Sequence, residues 1–316
     1  MLYFFFTKKE EADLKRDFLN ISDLSKKEIE QIIDYAVKLK KDRFMDRSLE
    51  GKSIGLVFMK PSTRTRISFE VGVYQMGGQP IYIQGSSTQM SRGEDIKDTA
   101  RVLSRYLDGL VIRTYSHKEV EELAEYSDFP VINALTDYAH PCQVLADFQT
   151  IYEIFGTLEG LKLTYIGDGN NMANTLLIGC ALMGINVSIA SPEGYEPNGK
   201  AVAEALKYAA ETGAEVEITN DPKEAVKGAN ILYTDVWVSM GQEGEKDKVN
   251  LFKNFSINEE LVKEAEKNAV VMHCLPAHKG EEITEDIFER FADVIFTQAE
   301  NRLHAQKALM SYLFKK

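Results

Sequence analysis

Only three cysteines and a single tryptophan occur in the 316 residues. Cys142, Cys180 and Cys274 are too few and too far apart for a disulfide framework or a C-x-x-C metal clip, so the expected compartment is a reducing one, the cytoplasm. Basic residues are in deficit, 37 Lys and Arg against 49 Asp and Glu, and the net charge of −12 repels phosphate backbones and anionic lipid. That argues against nucleic acid as a main partner. Long apolar runs are missing as well. The LYFFF stretch near the start is five residues long and charged residues follow at once, so neither a spanning helix nor a signal peptide is expected there. It is expected to pack on the chain's own fold or on a neighbouring subunit. No short repeat, low-complexity tract or Pro/Gly/Ser linker interrupts the chain.

What is present is a rhythm. Apolar residues make up 44% of the chain, and the length suits roughly two domains of about 150 residues. Ser25 and Glu28 have capping-box spacing ahead of Ile29, Ile32, Ile33, Ala36 and Leu39, the buried stripe of a first helix. From residue 53, strand-like and helix-like segments alternate: SIGLVFM, PIYIQ, GLVIRT and PVINAL, each followed by a helical stretch, the last running through CQVLADFQTIYEIFG. The alternation resumes with LKLTYIG, NVSIA, AEVEIT, NILYTDVW, VVMHCL and DVIFTQ, and closes on the helix AENRLHAQKALMSYLF. Such alternation predicts an α/β fold of two consecutive domains, each a parallel sheet flanked by helices, meeting near residues 150–158.

The unusual polar clusters fall at the carboxyl ends of the expected strands: STRTR after LVFM, Arg113 at the end of GLVIR, HPCQ after VINAL, GDGNN after TYI, DVWVSMG after ILYT and HCLP after VVM. In open parallel sheets that edge binds ligands, and two facing edges make an interdomain cleft. Within STRTR, Pro61, Ser62 and Thr63 suit the first turn of a helix, whose free backbone N–H groups form an anion cradle. Arginines are unfavourable at that end unless an anion neutralises them, so Arg64 predicts a bound oxyanion. Surface pairing with Asp or Glu is the plainer alternative.

His140 precedes Pro141, a natural first-turn residue, and Gln143 faces the same way with a donor and an acceptor; together they suit a carbonyl and its amide, although a lone histidine is more often a satisfied core residue. Gly167 and Gly169 form a G-x-G, but Met172 replaces the third small residue of the dinucleotide pattern, and Asn170 and Asn171 instead offer amides at a helix start, suited to a carboxylate. Asp235 either caps a turn or meets an ammonium. His273, Cys274 and His278 lack the paired spacing of zinc ligands, so no metal is expected; Cys274 is either a nucleophile beside a histidine or a small buried apolar group.

STRTR, HPCQ, DVWVSMGQE, HCLPAH and AENRLHAQ, in this order, resemble the transcarbamylase family, and the SMG and HCLP elements resemble its ornithine-using branch; the resemblance runs from about residue 17 to the end. It implies carbamoyl phosphate held by Ser62, Thr63, Arg64, Thr65, Arg113, His140, Gln143 and Arg302, with Gln89 reaching the phosphate of an adjacent subunit. It implies L-ornithine met by Asn171, Asp235, Ser239 and Met240, with Cys274 and Leu275 near the reacting centre. Arg113, His140 and Cys274 would be the catalytic groups, without metal or organic cofactor. Residues 1–150 would bind carbamoyl phosphate and 151–298 ornithine, with the closing helix, about 299–316, packed back on the first domain. Homotrimers or multiples of trimers are implied, and residues 1–16 fall outside the resemblance. Carbamoyl transfer to putrescine or N-acetylornithine, an NAD-dependent oxidoreductase using the GDG turn, and a non-catalytic relative are the competing readings.

Overall fold

The computed structural model describes residues 15–85, 88, 93–238 and 246–314. The LYFFF segment, Gln89, Ser239 and Met240 lie outside the described residues. Strands β1 (Ser53–Phe58), β2 (Gln79–Gln84), β3 (Gly109–Arg113) and β4 (Val131–Leu135) form one sheet in the order β2-β1-β3-β4, every pairing parallel. Strands β5 (Lys162–Ile166), β6 (Asn186–Ala190), β7 (Val216–Thr219), β8 (Ile231–Thr234) and β9 (Val270–His273) form a second parallel sheet in the order β7-β6-β5-β8-β9. Parallel strands need crossovers, and the helices supply them. They are α1 (Lys26–Lys41), α2 (Thr63–Gln75), α3 (Ile96–Leu103), α4 (His117–Tyr126), α5 (Pro141–Phe155), α6 (Asn171–Met183), α7 (Gly199–Thr212), α8 (Pro222–Ala225), α9 (Lys246–Leu251), α10 (Glu259–Glu264), α11 (Glu285–Arg290) and α12 (Ala292–Phe314). The expected fold class, two consecutive α/β units with parallel sheets, is the one observed.

Local chemistry accounts for the element ends. Ser25 caps α1 and exchanges hydrogen bonds with Glu28, and Ile29, Ile32, Ile33, Ala36 and Leu39 form its buried stripe. Gly156, Gly184 and Gly213 close α5, α6 and α7 in the left-handed conformation that glycine adopts without strain. The α5 and α6 helices are buried on nearly every face because each lies between a sheet and other helices.

One expectation fails. Asp293–Gln298, DVIFTQ, is helical and belongs to the 23-residue α12. A six-residue apolar run does not by itself distinguish a strand from a buried helical turn. Its buried residues, Ile295 and Gln298, are three apart and continue to Arg302, whereas Phe296 is exposed, which is helical spacing. From there α12 runs across α5, α1 and α2, carrying chain that follows the second sheet onto the helices of the first.

Candidate active site

The strand ends do converge. After β1, Ser62 adopts extended backbone as the N-cap of α2, and its Oγ accepts from the Thr65 N–H at 3.3 Å. Arg64 and Arg66 then part company. Arg66 pairs with Glu70 at 3.1 Å and lies 3.6 Å over the Tyr82 ring, the plain surface role. Arg64 stands close enough to Arg113 and His140 to act on both electrostatically.

Arg113, at the tip of β3, is buried, and its Nε has no partner. Arg302, buried on α12, donates to Gln143 Oε1 at 2.8 Å, to Thr65 Oγ1 at 3.2 Å and to Gln306 Oε1 at 3.3 Å, all neutral acceptors. Among the described residues, arginine salt bridges involve Arg16, Arg43, Arg47, Arg66, Arg101 and Arg290, and none involves Arg64, Arg113 or Arg302. Burial, and then the neighbouring Arg302 and Arg64, bring the Arg113 guanidinium down to about 10. Burying cations without counter-charge is unfavourable, and an incoming anion relieves both the desolvation and the mutual repulsion.

His140 is the N-cap of α5 with Pro141 at the first helical position. Its backbone N–H donates to Thr175 Oγ1 at 2.9 Å, and its Nδ1 is buried without a partner. Burial first, then Arg302, Arg113 and Arg64, hold it well below the usual imidazole range. The ring is therefore neutral at neutral pH, a donor for a carbonyl oxygen and not a fixed cation.

On the facing side, Asn170 caps α6, accepting from the N–H groups of Met172 and Ala173. Its Nδ2 donates to Asp235 Oδ2 at 2.9 Å, and the Val236 N–H donates to Asp235 Oδ1 at 2.8 Å. The Cys274 thiol donates to the same Oδ1 at 3.0 Å. Burial, with Asp235 next, pushes that thiol well above its ordinary range, so Cys274 is a hydrogen-bond donor and not a thiolate nucleophile. Asn171 donates to the Thr136 carbonyl at 2.6 Å, bridging the two halves. Leu275 has a φ of +60°, held by its N–H donating to His273 Nδ1 at 2.8 Å, while His273 Nε2 meets Glu282 Oε1 at 2.9 Å. Although ligand atoms of Asp235, His273 and Cys274 lie within 4.8 Å of one another, both His273 ring nitrogens are engaged.

The G-x-G turn also has a local explanation. A Cβ on Gly169 would sit 2.3 Å from the carbonyl carbon of Glu196 and 2.5 Å from Pro197 N, and the Gly169 N–H donates to the Tyr195 carbonyl at 2.8 Å. The chain's own 195–197 loop fills the approach that a pyrophosphate takes in dinucleotide sites. A cavity of about 420 Å³ opens beside Asn170, with Tyr115, His117, Asp137, Asn174 and Glu196 in its wall.

Sequence reasoning missed Asp147, Tyr233 and Gln298, a fully buried polar cluster beneath Gln143. Only the four-residue step from Gln143 to Asp147 hints at it, since that step places them on one helix face.

The profile described as "Aspartate/ornithine carbamoyltransferase, carbamoyl-P binding domain" matches residues 16–153, and that described as "Aspartate/ornithine carbamoyltransferase, Asp/Orn binding domain" matches residues 159–313. The chain is 51% identical over 304 residues to the ornithine carbamoyltransferase of Aquifex aeolicus, covering 96% of this chain and 99% of that protein. It is 52% identical over 300 residues to that of Thermococcus kodakarensis, covering 94% and 95%. Among solved structures, the ornithine carbamoyltransferase from Pyrococcus furiosus superposes with a TM-score of 0.89 at 48% identity, covering 94% of this chain and 96% of that one. An anabolic ornithine carbamoyltransferase from Campylobacter jejuni superposes with a TM-score of 0.90 at 41% identity, covering 94% and 98%.

Proposed function

The chain belongs to the aspartate/ornithine carbamoyltransferase family, and from that premise we propose that it moves the carbamoyl group of carbamoyl phosphate onto the δ-amine of L-ornithine, giving L-citrulline and phosphate. The activity is carbamoyl transfer, in the direction of arginine biosynthesis, the usual role of such enzymes. One observation carries this reading: Arg64, Arg113 and Arg302 gather beside a neutral His140 without a carboxylate partner, and Asp235 with Cys274 stands across the cleft.

In this proposal the phosphate sits on the start of α2, held by Ser62, Thr63, Arg64 and Thr65, with Arg302 behind. Arg113 and His140 donate to the carbamoyl oxygen, where negative charge grows as the amine attacks, and Gln143 accepts from the carbamoyl nitrogen. Asp235 takes the α-ammonium of ornithine and Asn171 turns its amide to the α-carboxylate, which requires it to leave the Thr136 carbonyl. Ser239 and Met240 complete the ornithine contacts, with Cys274 and Leu275 beside the reacting carbon. The δ-amine attacks in its neutral form; a C–N bond forms as the bond to the phosphate oxygen breaks, and the departing phosphate is the nearest base for the proton shed. A dry, closed cleft favours the uncharged amine.

The assignment of residues 1–150 to carbamoyl phosphate, 151–298 to ornithine, and the closing helix to the first half belongs to the same proposal. So does a trimer or multiple of trimers in which Gln89 reaches a neighbouring site, which sedimentation of the purified protein tests. Among the described residues no helix is long and apolar enough to cross a membrane, and residence in the cytoplasm is proposed from the sparse cysteines.

The deciding experiment supplies carbamoyl phosphate with ornithine, putrescine, N-acetylornithine or aspartate in turn and measures the carbamoylated product. Ornithine is expected to be the preferred acceptor, and faster transfer to any other amine overturns the reading.

A further inference from the structure

We infer that Asp147 is a positioning residue for carbamoyl transfer: a buried carboxylate that sets the amide orientation of Gln143 and, through Gln298, ties the anion-holding side of the cleft to the end of the strand that leads into Cys274. The inference rests on the function proposed above and deepens it.

Asp147 is fully buried on α5, one turn beyond Gln143. Its Oδ1 accepts from Gln143 Nε2 at 2.8 Å and from Gln298 Nε2 at 2.8 Å, and its Oδ2 accepts from the Tyr233 hydroxyl at 3.0 Å. A side-chain amide can be turned over with little change in shape, so its direction is decided by what faces it. A carboxylate oxygen only accepts. Placed before both amide nitrogens, it forces both amide oxygens to point away.

The outward oxygens then do specific things. Gln143 Oε1 accepts from Arg302 Nη1 at 2.8 Å, and Arg302 continues to Thr65 Oγ1 at 3.2 Å. Gln298 Oε1 accepts from the His273 N–H at 3.0 Å, one residue before Cys274. A continuous polar path thus runs from the first turn of α2, through α12 and α5, to the end of β9. Reversing Gln143 would put its NH2 against Arg302, donor facing donor, and withdraw the acceptor offered to the carbamoyl nitrogen. The burial that makes this cluster costly is offset by its complete pairing at Asp147; burial also pushes the Asp147 carboxyl up to about 7, and a proton taken up there sits on Oδ2, facing the Tyr233 oxygen, which leaves Oδ1 the acceptor for both amides. Asp147 is assigned no substrate contact of its own and acts only through Gln143 and Gln298, which is why its effect is one of positioning.

The test compares wild type, Asp147→Leu and Asp147→Asn in steady-state citrulline formation, with inorganic phosphate as inhibitor. Asp147→Leu is expected to lower kcat/KM for carbamoyl phosphate by about 10²-fold, while the phosphate inhibition constant moves by less than about threefold, because the α2 cradle is untouched. Asp147→Asn keeps an oxygen before both amides and is expected to recover about tenfold of that loss. An Asp147→Leu enzyme within about threefold of wild type, a proportionate loss of phosphate inhibition, or an asparagine variant no better than leucine overturns the inference. Gln298→Leu provides an arm independent of whether Asp147→Leu folds. It leaves Asp147 facing Gln143 but cuts the link to β9, and is expected to raise KM for ornithine about tenfold; an unchanged value overturns the inference. Wild-type protein that makes no citrulline overturns the proposed function itself, a result distinct from all of these.

Discussion

The Cys274 thiol donates to Asp235 Oδ1 across 3.0 Å, joining loops 39 residues apart at the tips of neighbouring strands. Burial and the adjacent carboxylate keep the sulfur protonated, so the pair is a donor and an acceptor, not a nucleophile and a base. With Asn170 on the other oxygen, Asp235 is preset in direction before any substrate arrives.

Asp235→Asn keeps the shape and removes the charge. The expected result is a rise in KM for ornithine of about 10- to 100-fold, the worth of a charge-assisted hydrogen bond, with the carbamoyl phosphate KM little moved. Steady-state kinetics varying each substrate separately checks it, and an unchanged ornithine dependence counts against the ammonium pairing.

Arg113→Ala removes a buried cation whose neighbours are other cations. Turnover is expected to fall by about 10²- to 10³-fold, the range for losing one donor to a developing oxyanion. Thermal stability should hold or rise, since the repulsion among Arg64, Arg113 and Arg302 is relieved. Citrulline formation and a melting curve on the same preparation measure both; a large drop in melting temperature would show that the arginine is mainly structural.

Lys307 is buried on α12, where its Nζ donates to Gln75 Oε1 at 2.9 Å and to the Arg43 carbonyl. Burial lowers it from 10.5 to about 8. Between those values the unfolded chain holds more of this proton than the folded one, so the Lys307 contribution to stability increases as pH rises through that window and is at its lowest below it. Urea unfolding of wild type and Lys307→Met across the window should show the wild type gaining on the variant as pH rises; parallel curves would refute it.

Gly169→Ala places a Cβ against the Glu196 carbonyl and Pro197 nitrogen, backbone atoms that cannot swing aside. A loss of about 1–3 kcal/mol is expected, read from urea unfolding, together with a weakened ornithine interaction through the adjacent Asn170. A variant as stable as wild type would mean that the 195–197 loop yields freely.

Much of the site is legible along the chain because its parts are local. Ser62 caps α2 through an atom three residues away, and His140 precedes Pro141 at a helix start; both follow from residue type and the hydrogen bonds that helix ends leave open. The STRTR pattern does not by itself separate the roles of Arg64 and Arg66. Two residues apart on a helix, they point in different directions, and only Arg64 joins the cluster.

The sequence alone determined the alternation of strands and helices, the two parallel sheets it implies and the residues at their carboxyl ends, since periodicity and capping depend on neighbours within a few positions. Tertiary structure alone decided that Asp293–Gln298 is helix, that Arg302 meets Gln143 across 159 positions and that Asp147 anchors two amides beneath the cleft. A buried polar side chain takes its partner and its protonation from whatever the folded chain packs against it, and no pattern along the sequence records which distant segment that will be.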